Sequence, residues 1–575
     1  MPAERALQLH RAGQLQAADM AYRSAIAEKP DDLAIRHFHA GLMMQMGRLQ
    51  EAVDALSYVV ARREDASSSR AALALCLRDL GRPDQARPHA LRAAQDRPRD
   101  AGAALVAGTV LHLLGECGAA VPYLRRAVEI APAMSEGWYA LGVALQQLGE
   151  WEAAEQAHRH VARMKPAGWF NVGLCAERRG DLDTAIECFG RAVEAMPGRL
   201  APLVRLAQAR ALACDFQGEA RAVQQIEERA GLGEAFAADD VPEAFALTFL
   251  PLSSTVGSAL MEHYAGVVRS RAGRATPDGM PAAPGPRAGR RLRVGYLSPD
   301  FGEHAVGTLV APVLLAHDRD RFEVTAYSLR RHAGPTADGL RRGCERFRDC
   351  EAIDPERLAG LIGEDRLDVL VDLAGYTHGA RPEVLALRPA PLQLGYLGFI
   401  HPQAASWLDA VVLDPWMHPF GCEVGFPDPV KRLGTLMLPG LRTASEGPAD
   451  RARFGLPRDA VLVAAFNNSY KYDARLLDAW LQAADRAPRA VFVLSTPQEA
   501  QARLRAFWTS RGGRPGQLRF VPRLPPAQHA ARLASCDFFA DAFRYQGGAS
   551  GVAAVSAGLP IVALAGVTPL SRMGA

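Results

Sequence analysis

Lysine is scarce in this chain: Lys29, Lys165, Lys431 and Lys471 stand among 66 basic residues. Of these, Lys471 sits where an ammonium has chemistry to do. The apolar run Val461-Leu462-Val463-Ala464-Ala465-Phe466 has the length and flanks of a buried parallel strand. A polar turn from Asn467 to Asp473 follows, and Ala474 to Leu481 reads as an amphipathic helix. Strand, turn and helix N-terminus place free backbone N–H groups and the positive end of a dipole where an anion can sit. Lys471 adds a mobile ammonium, a natural partner for a phosphate. A second such place is Asp541 to Gly551, where Gln546-Gly547-Gly548-Ala549-Ser550-Gly551 leads into a helix expected from Val552. Two anion-competent helix starts in one lobe, facing a second lobe across a cleft, point to a nucleotide-sugar donor site.

The facing lobe supplies the other candidates. Expected strands at Leu292–Leu297, Phe322–Leu329, Leu367–Leu373, Leu392–Leu397 and Ala410–Leu413 alternate with helices, the grammar of a parallel sheet. In such sheets ligands bind at the carboxyl ends of the strands. That rule lines up His304, Asp372, Tyr376, His378 and the Gly398–His401 loop along one rim. Asp318-Arg319-Asp320 has the look of a metal-binding aspartate pair, but between a helix and the Phe322 strand it reads as a polar turn. The second lobe, from about residue 450, has expected strands at Val461–Phe466, Ala490–Leu494, Leu518–Val521, Phe538–Ala540 and Pro560–Leu564.

The N-terminal third is organised differently. Glycine recurs at Gly13, Gly47, Gly81, Gly115 and Gly149, every 34 residues, and again at Gly180. Alanine follows five positions after each, and proline seventeen after most, as at Pro98, Pro132 and Pro166. A helix, a glycine turn, a second helix with small packing residues and a proline stop make a helical hairpin. The 34-residue period resembles the tetratricopeptide repeat. Stacks of this kind present a concave groove to extended partners, so protein binding is the expected role, with oligomerisation or scaffolding as the plainer one. Between Pro166 and Gly180 the first helix is about three residues short, and that hairpin is expected to start one turn late. The reading divides the chain into repeats over 1–200, capping helices over 201–268 and a flexible Pro/Gly/Ala/Arg linker over 269–290. An N-terminal catalytic lobe over 291–449 and a C-terminal donor-binding lobe over 450–575 complete it.

Composition narrows the partners. A net charge of +3 over 575 residues gives no electrostatic case for nucleic acid or an anionic membrane. Nine cysteines without a CxxC pair argue against zinc clusters and a disulfide framework. No apolar run long enough to span a bilayer is visible, and a cytoplasmic protein is the expectation.

Three further blocks carry a resemblance. Tetratricopeptide repeats joined to RVGYLSPDFGEH, DLAGYTHGARPEVLALRPAPLQLGYLGF and FNNSYKYD resemble the O-linked N-acetylglucosamine transferase family, in a bacterial form. The resemblance implies a repeat α-solenoid followed by a two-lobed, Rossmann-like glycosyltransferase-B region. It implies an inverting transfer of N-acetylglucosamine from UDP-N-acetylglucosamine to protein Ser or Thr, with no metal and no cofactor beyond the donor. Acceptor proteins or peptides would lie in the repeat groove. Lys471 matches the lysine that neutralises the donor diphosphate and His304 a histidine near the reactive centre. Asn468, Leu524, His529, Gly547, Gly548, Ser550 and Gly551 match donor-binding positions, and Tyr376 and His401 are acceptor-side candidates.

The chain also departs from the family's pattern. Pro526, Gly548, Ala549 and Ala553 replace polar family residues, and the second lobe, ending near Ser571-Arg572, is expected to be shortened. Two other readings therefore stand beside the first: a related enzyme with a different UDP-hexose or acceptor, and a catalytically degenerate interaction scaffold.

Overall fold

The computed structural model describes residues 2–231, 236–237, 239–273, 289–419, 426, 428–440 and 449–574. The backbone forms two compact units, 1–195 and 196–575. The first is a run of antiparallel helical hairpins, from Pro2–Arg11 and Leu15–Glu28 to Trp169–Arg179 and Leu182–Ala195. Each hairpin turns on one of the periodic glycines, and all six have positive φ, between +72° and +82°, which only glycine adopts without steric cost. The alanines five positions on (Ala18, Ala52, Ala86, Ala120, Ala154, Ala185) are fully buried, because a larger side chain would push the paired helices apart. The last hairpin is a local exception. Its first helix has 11 residues against 13 in the preceding one, and a 3₁₀ turn, Pro166–Gly168, precedes it. The shortfall is thus two residues, taken up by that turn.

The second unit opens with helices Ala201–Leu212, Phe216–Gly231 and Ser254–Ala272. The last of these enters the span expected to be linker, and 274–288 lie outside the described residues. Among the described residues seven parallel strands follow: β1 Leu292–Ser298, β2 Phe322–Ser328, β3 Arg346–Asp349, β4 Val369–Asp372, β5 Gln393–Tyr396, β6 Ala410–Leu413 and β7 Val430–Arg432, in the order β3-β2-β1-β4-β5-β6-β7. A second sheet has β8 Val461–Ala465, β9 Ala490–Leu494, β10 Leu518–Phe520, β11 Phe538–Ala540 and β12 Ile561–Val562, in the order β10-β9-β8-β11-β12. In both sheets the order in which successive strands are added reverses between the first and fourth strands, β1/β4 and β8/β11. Such switch points leave a crevice outside the strand ends, where ligands bind.

Each sheet buries its own core. Val294, Val310, Val324, Leu373 and Leu413 pack in the first lobe, and Leu570 joins them from the second. Val463, Trp480, Phe492 and Trp508 pack in the second, joined by Cys214 from the helical segment. The Asp318–Asp320 segment is the polar turn expected: Asp318 Oδ1 accepts from the Asp320 N–H at 3.0 Å.

Candidate functional site

The two switch points open on one cavity of about 540 Å³ in the second unit. Its first-lobe wall begins at the end of β1, where Asp300 and His304 line it. His304 is the N-cap of helix Ala305–Leu315, its Nδ1 accepting from the Val306 N–H at 3.3 Å and lying 3.5 Å from Asp300 Oδ2. The helix approaches so closely at Gly307 that a Cβ there would lie 2.3 Å from the Asp300 carbonyl. Arg330, Thr377 and His378 continue this wall, followed by Leu397 and Gly398 after β5. Leu397 has φ +68°, a strained conformation for a branched side chain. Gly398 must be glycine, because a Cβ would meet the Leu373 carbonyl at 1.8 Å.

The second-lobe wall holds the ammonium. Lys471 is 7% exposed, and its Nζ donates to the Gln546 carbonyl at 2.8 Å and sits 3.9 Å from the centre of the Tyr545 ring. Burial pulls the Lys471 ammonium down to about 8, an effect the Asp541 carboxylate partly offsets. Asp541, at the end of β11, accepts from Asn467 Nδ2 at 2.9 Å and from the N–H groups of Ala542 and Gly547, each at 2.8 Å. Burial still raises its carboxyl above the usual range. Asn467 Oδ1 in turn accepts from Ser550 Oγ at 3.0 Å. Helix Ala549–Ser556 begins at this point with no side-chain cap on Gly548, and Gly548, Ala549 and Ser550 line the cavity. An uncapped helix start beside a buried ammonium is an anion-binding arrangement.

The sequence candidates divide. Lys471, His304, Asn468, Gly548 and Ser550 all line the cavity, as does His378. Gly547 and Gly551 lie next to it in sequence but outside its lining, Gly547 donating to Asp541 and Gly551 to the Gly547 carbonyl. Leu524 and His529 are also outside the lining. The His529 ring meets Phe466, which does line the cavity, edge-on at 5.0 Å, and burial with Arg532 nearby lowers it to about 4. Tyr376 and His401 are not brought to the cavity. The Tyr376 hydroxyl donates to the Gln403 carbonyl at 2.8 Å, its ring packed on Tyr264 at 4.6 Å. His401 Nδ1 lies 3.0 Å from its neighbour's carbonyl, Pro402 O. Asp372 is consumed by its own turn, accepting from the Ala374 and Gly375 N–H groups at 3.1 and 2.8 Å, and burial raises it to about 6.

Sequence reasoning overlooked Asp300, Asn467, Tyr545 and Asp541, although a polar residue just after an apolar strand at a switch point was a usable signal. It had no signal for Phe245, a cavity residue contributed by the helical segment.

Comparison with known proteins bears on this geometry. Residues 280–429 and 447–575 match the family model of Glycosyl transferase family 41, and 42–101, 72–135 and 166–199 match tetratricopeptide-repeat models. The chain is 29% identical over 293 residues to the probable UDP-N-acetylglucosamine–peptide N-acetylglucosaminyltransferase SEC of Arabidopsis thaliana, covering 49% of this chain and 30% of that protein. It is 23% identical over 392 residues to the UDP-N-acetylglucosamine–peptide N-acetylglucosaminyltransferase of Caenorhabditis elegans, covering 48% of this chain and 34% of that one. The chain thus spans about a third of the length of these curated relatives. A solved structure of a mutant O-GlcNAc transferase from Thermobaculum terrenum shares the fold, with a TM-score of 0.61 and 24% identity over 82% of this chain and 84% of that one.

Proposed function

We propose, since the chain belongs to Glycosyl transferase family 41, that the cavity of its second unit is the donor site of a protein O-glycosyltransferase. The reaction is an inverting transfer of N-acetylglucosamine from UDP-N-acetylglucosamine to a Ser or Thr hydroxyl. The acceptor oxygen bonds to the anomeric carbon while the bond from that carbon to the β-phosphate oxygen breaks, and UDP leaves with the electron pair. Lys471 and the N-terminus of helix Ala549–Ser556 carry the positive charge that stabilises the departing diphosphate, so the transfer needs no metal. His304 can hold the proton lost by the acceptor hydroxyl, with Asp300 Oδ2 at 3.5 Å to stabilise the imidazolium. Asn468, Gly547, Gly551, Leu524 and His529 complete the donor's surroundings. The repeats of the first unit bind the acceptor proteins, and a cytoplasmic location is part of the same reading.

The observation that carries this proposal is the buried ammonium of Lys471 on the wall of a two-switch-point cavity. Calorimetric titration with UDP tests it: micromolar binding is expected, weakened at least about tenfold by Lys471→Ala. A folded chain that binds no UDP overturns it.

A second reading keeps the reaction and changes the donor hexose. The space beside Gly548 is filled by Met573, whose Cε would lie 2.6 Å from a Cβ at that position. A thioether there offers bulk without a hydrogen bond, which favours a sugar presenting no polar substituent at that wall. Competition of UDP-hexoses against bound UDP distinguishes the two.

A further inference from the structure

The turn that carries Lys471 is held from outside its own lobe. Arg544 precedes Tyr545, and its Nη2 donates to the Tyr470 carbonyl at 2.6 Å and the Tyr472 carbonyl at 3.0 Å. These two carbonyls flank Lys471. Arg544 Nη1 donates at 2.6 Å to Oε1 of Glu219, on helix Phe216–Gly231 of the helical segment. The pair is buried, with side chains 14% and 5% exposed. The fork of a guanidinium suits this task, since it can hold a carboxylate and two carbonyls at once. A buried ion pair is weak evidence of stabilisation but can fix one geometry among several.

The same segment reaches the turn by two other routes. Ser469 Oγ donates to the Leu212 carbonyl at 2.6 Å. The Phe249 ring lies 4.4 Å from that of Tyr470, which in turn meets Tyr545, the ring under the Lys471 ammonium, at 6.0 Å.

We propose that Glu219 and Arg544 are positioning residues of the donor site. Through them the helical segment grips the backbone on both sides of Lys471 and sets where its ammonium points. Glu219 touches no substrate; it orients Arg544, and Arg544 orients the lysine. The functional consequence rests on the donor-site reading, whereas the positioning itself can be read without any donor.

The scarcity of lysine makes the test direct. The full chain labelled with ¹³C at lysine Cε gives signals from four residues, and that of Lys471 is the one lost in Lys471→Met. Its titration midpoint in the native chain is expected near 8, since burial disfavours the ammonium; Asp541 and Tyr545 are the titratable groups beside it, and Asp300, His304, His378 and Tyr470 line the same cavity. In folded Glu219→Gln and Arg544→Lys, that midpoint is expected to rise toward the ordinary lysine value of about 10.4. UDP affinity is expected to fall about tenfold, Arg544→Lys having the larger effect because a single ammonium lacks the planar fork that reaches Glu219 and both carbonyls from separate nitrogens. Midpoint and affinity both unchanged in these folded variants overturn the proposal. Should the native chain bind no UDP, the donor reading falls and the midpoint alone decides the positioning. If the single variants do not fold, the charge-free pair Glu219→Leu/Arg544→Leu takes their place under the same criteria.

Discussion

Each unit buries a basic side chain whose setting tells what it does, and the two settings differ. In the repeat unit, His158 on helix Trp151–Met164 has no exposed surface, and neither ring nitrogen has a hydrogen-bond partner among the described residues. Its ring fills the notch left by Gly142, where a Cβ would come within 2.5 Å of it. Burial drives the imidazole down to about 4, so it is a neutral packing piece. In the second unit, Lys471 is nearly as buried but has a carbonyl, an aromatic face and a nearby carboxylate around it. At about 8 it stays mostly protonated at neutral pH. Desolvation lowers both by a similar amount; the charge survives on Lys471 because a lysine starts far above a histidine, and a buried charge on a cavity wall marks the site of chemistry.

The largest expected effect separates these roles. Lys471→Ala should lower the rate of glycosyl transfer by about 10²–10³, the loss typical of removing a preorganised charge from a transition state. His158→Leu should leave transfer untouched. A kinetic comparison of the two variants breaks the contrast if the repeat substitution also slows transfer.

Acid should find the repeat unit through His158. Above pH 6.5 the histidine is neutral in folded and unfolded chains alike. Between 6.5 and about 4 the unfolded chain takes up a proton that the folded one refuses, so stability falls as pH falls; below that window both are charged and the slope ends. The loss should reach about 3 kcal/mol and vanish in His158→Leu, measured by calorimetric unfolding of the full chain.

The same two residues show what a sequence discloses. The glycine period placed every hairpin turn, and the apolar runs placed ten of the twelve strands among the described residues, since both are local patterns. β3 and β7 escaped because Arg346–Asp349 and Val430–Arg432 are short and polar, as edge strands are. Lys471, His304 and Ser550 were legible because they stand at strand ends or helix starts. Their supports were not: Asn467 meets Asp541 across 74 positions and Arg544 meets Glu219 across 325, and no local pattern announces such pairings. Nor does a rim position reveal direction, as Tyr376 shows by donating to a carbonyl outside the cavity.

A milder effect sharpens the lysine side of the contrast. If the ammonium carries donor binding, UDP affinity measured by calorimetry should fall as pH rises through about 8, by close to tenfold per unit. The fall should level off once the pH passes the higher value that a bound diphosphate gives the lysine. Lys471→Arg, always charged, should flatten the profile. A native profile flat from pH 7 to 10 would remove Lys471 from the donor site.

The smallest expected effect concerns a residue that position alone would have made functional. Tyr376 has its hydroxyl buried against the Gln403 carbonyl and its ring between Tyr264 and Phe399. Removing the hydroxyl in Tyr376→Phe deletes one neutral hydrogen bond and leaves the ring packing whole. Stability should therefore drop by about 1 kcal/mol in denaturant unfolding, with a buried carbonyl left unpaired as the reason. Transfer rate and UDP affinity should stay within about twofold of native, because no atom of Tyr376 lines the cavity. A large loss of transfer with stability intact would reverse the assignment and place Tyr376 with Lys471 among the groups that serve the reaction.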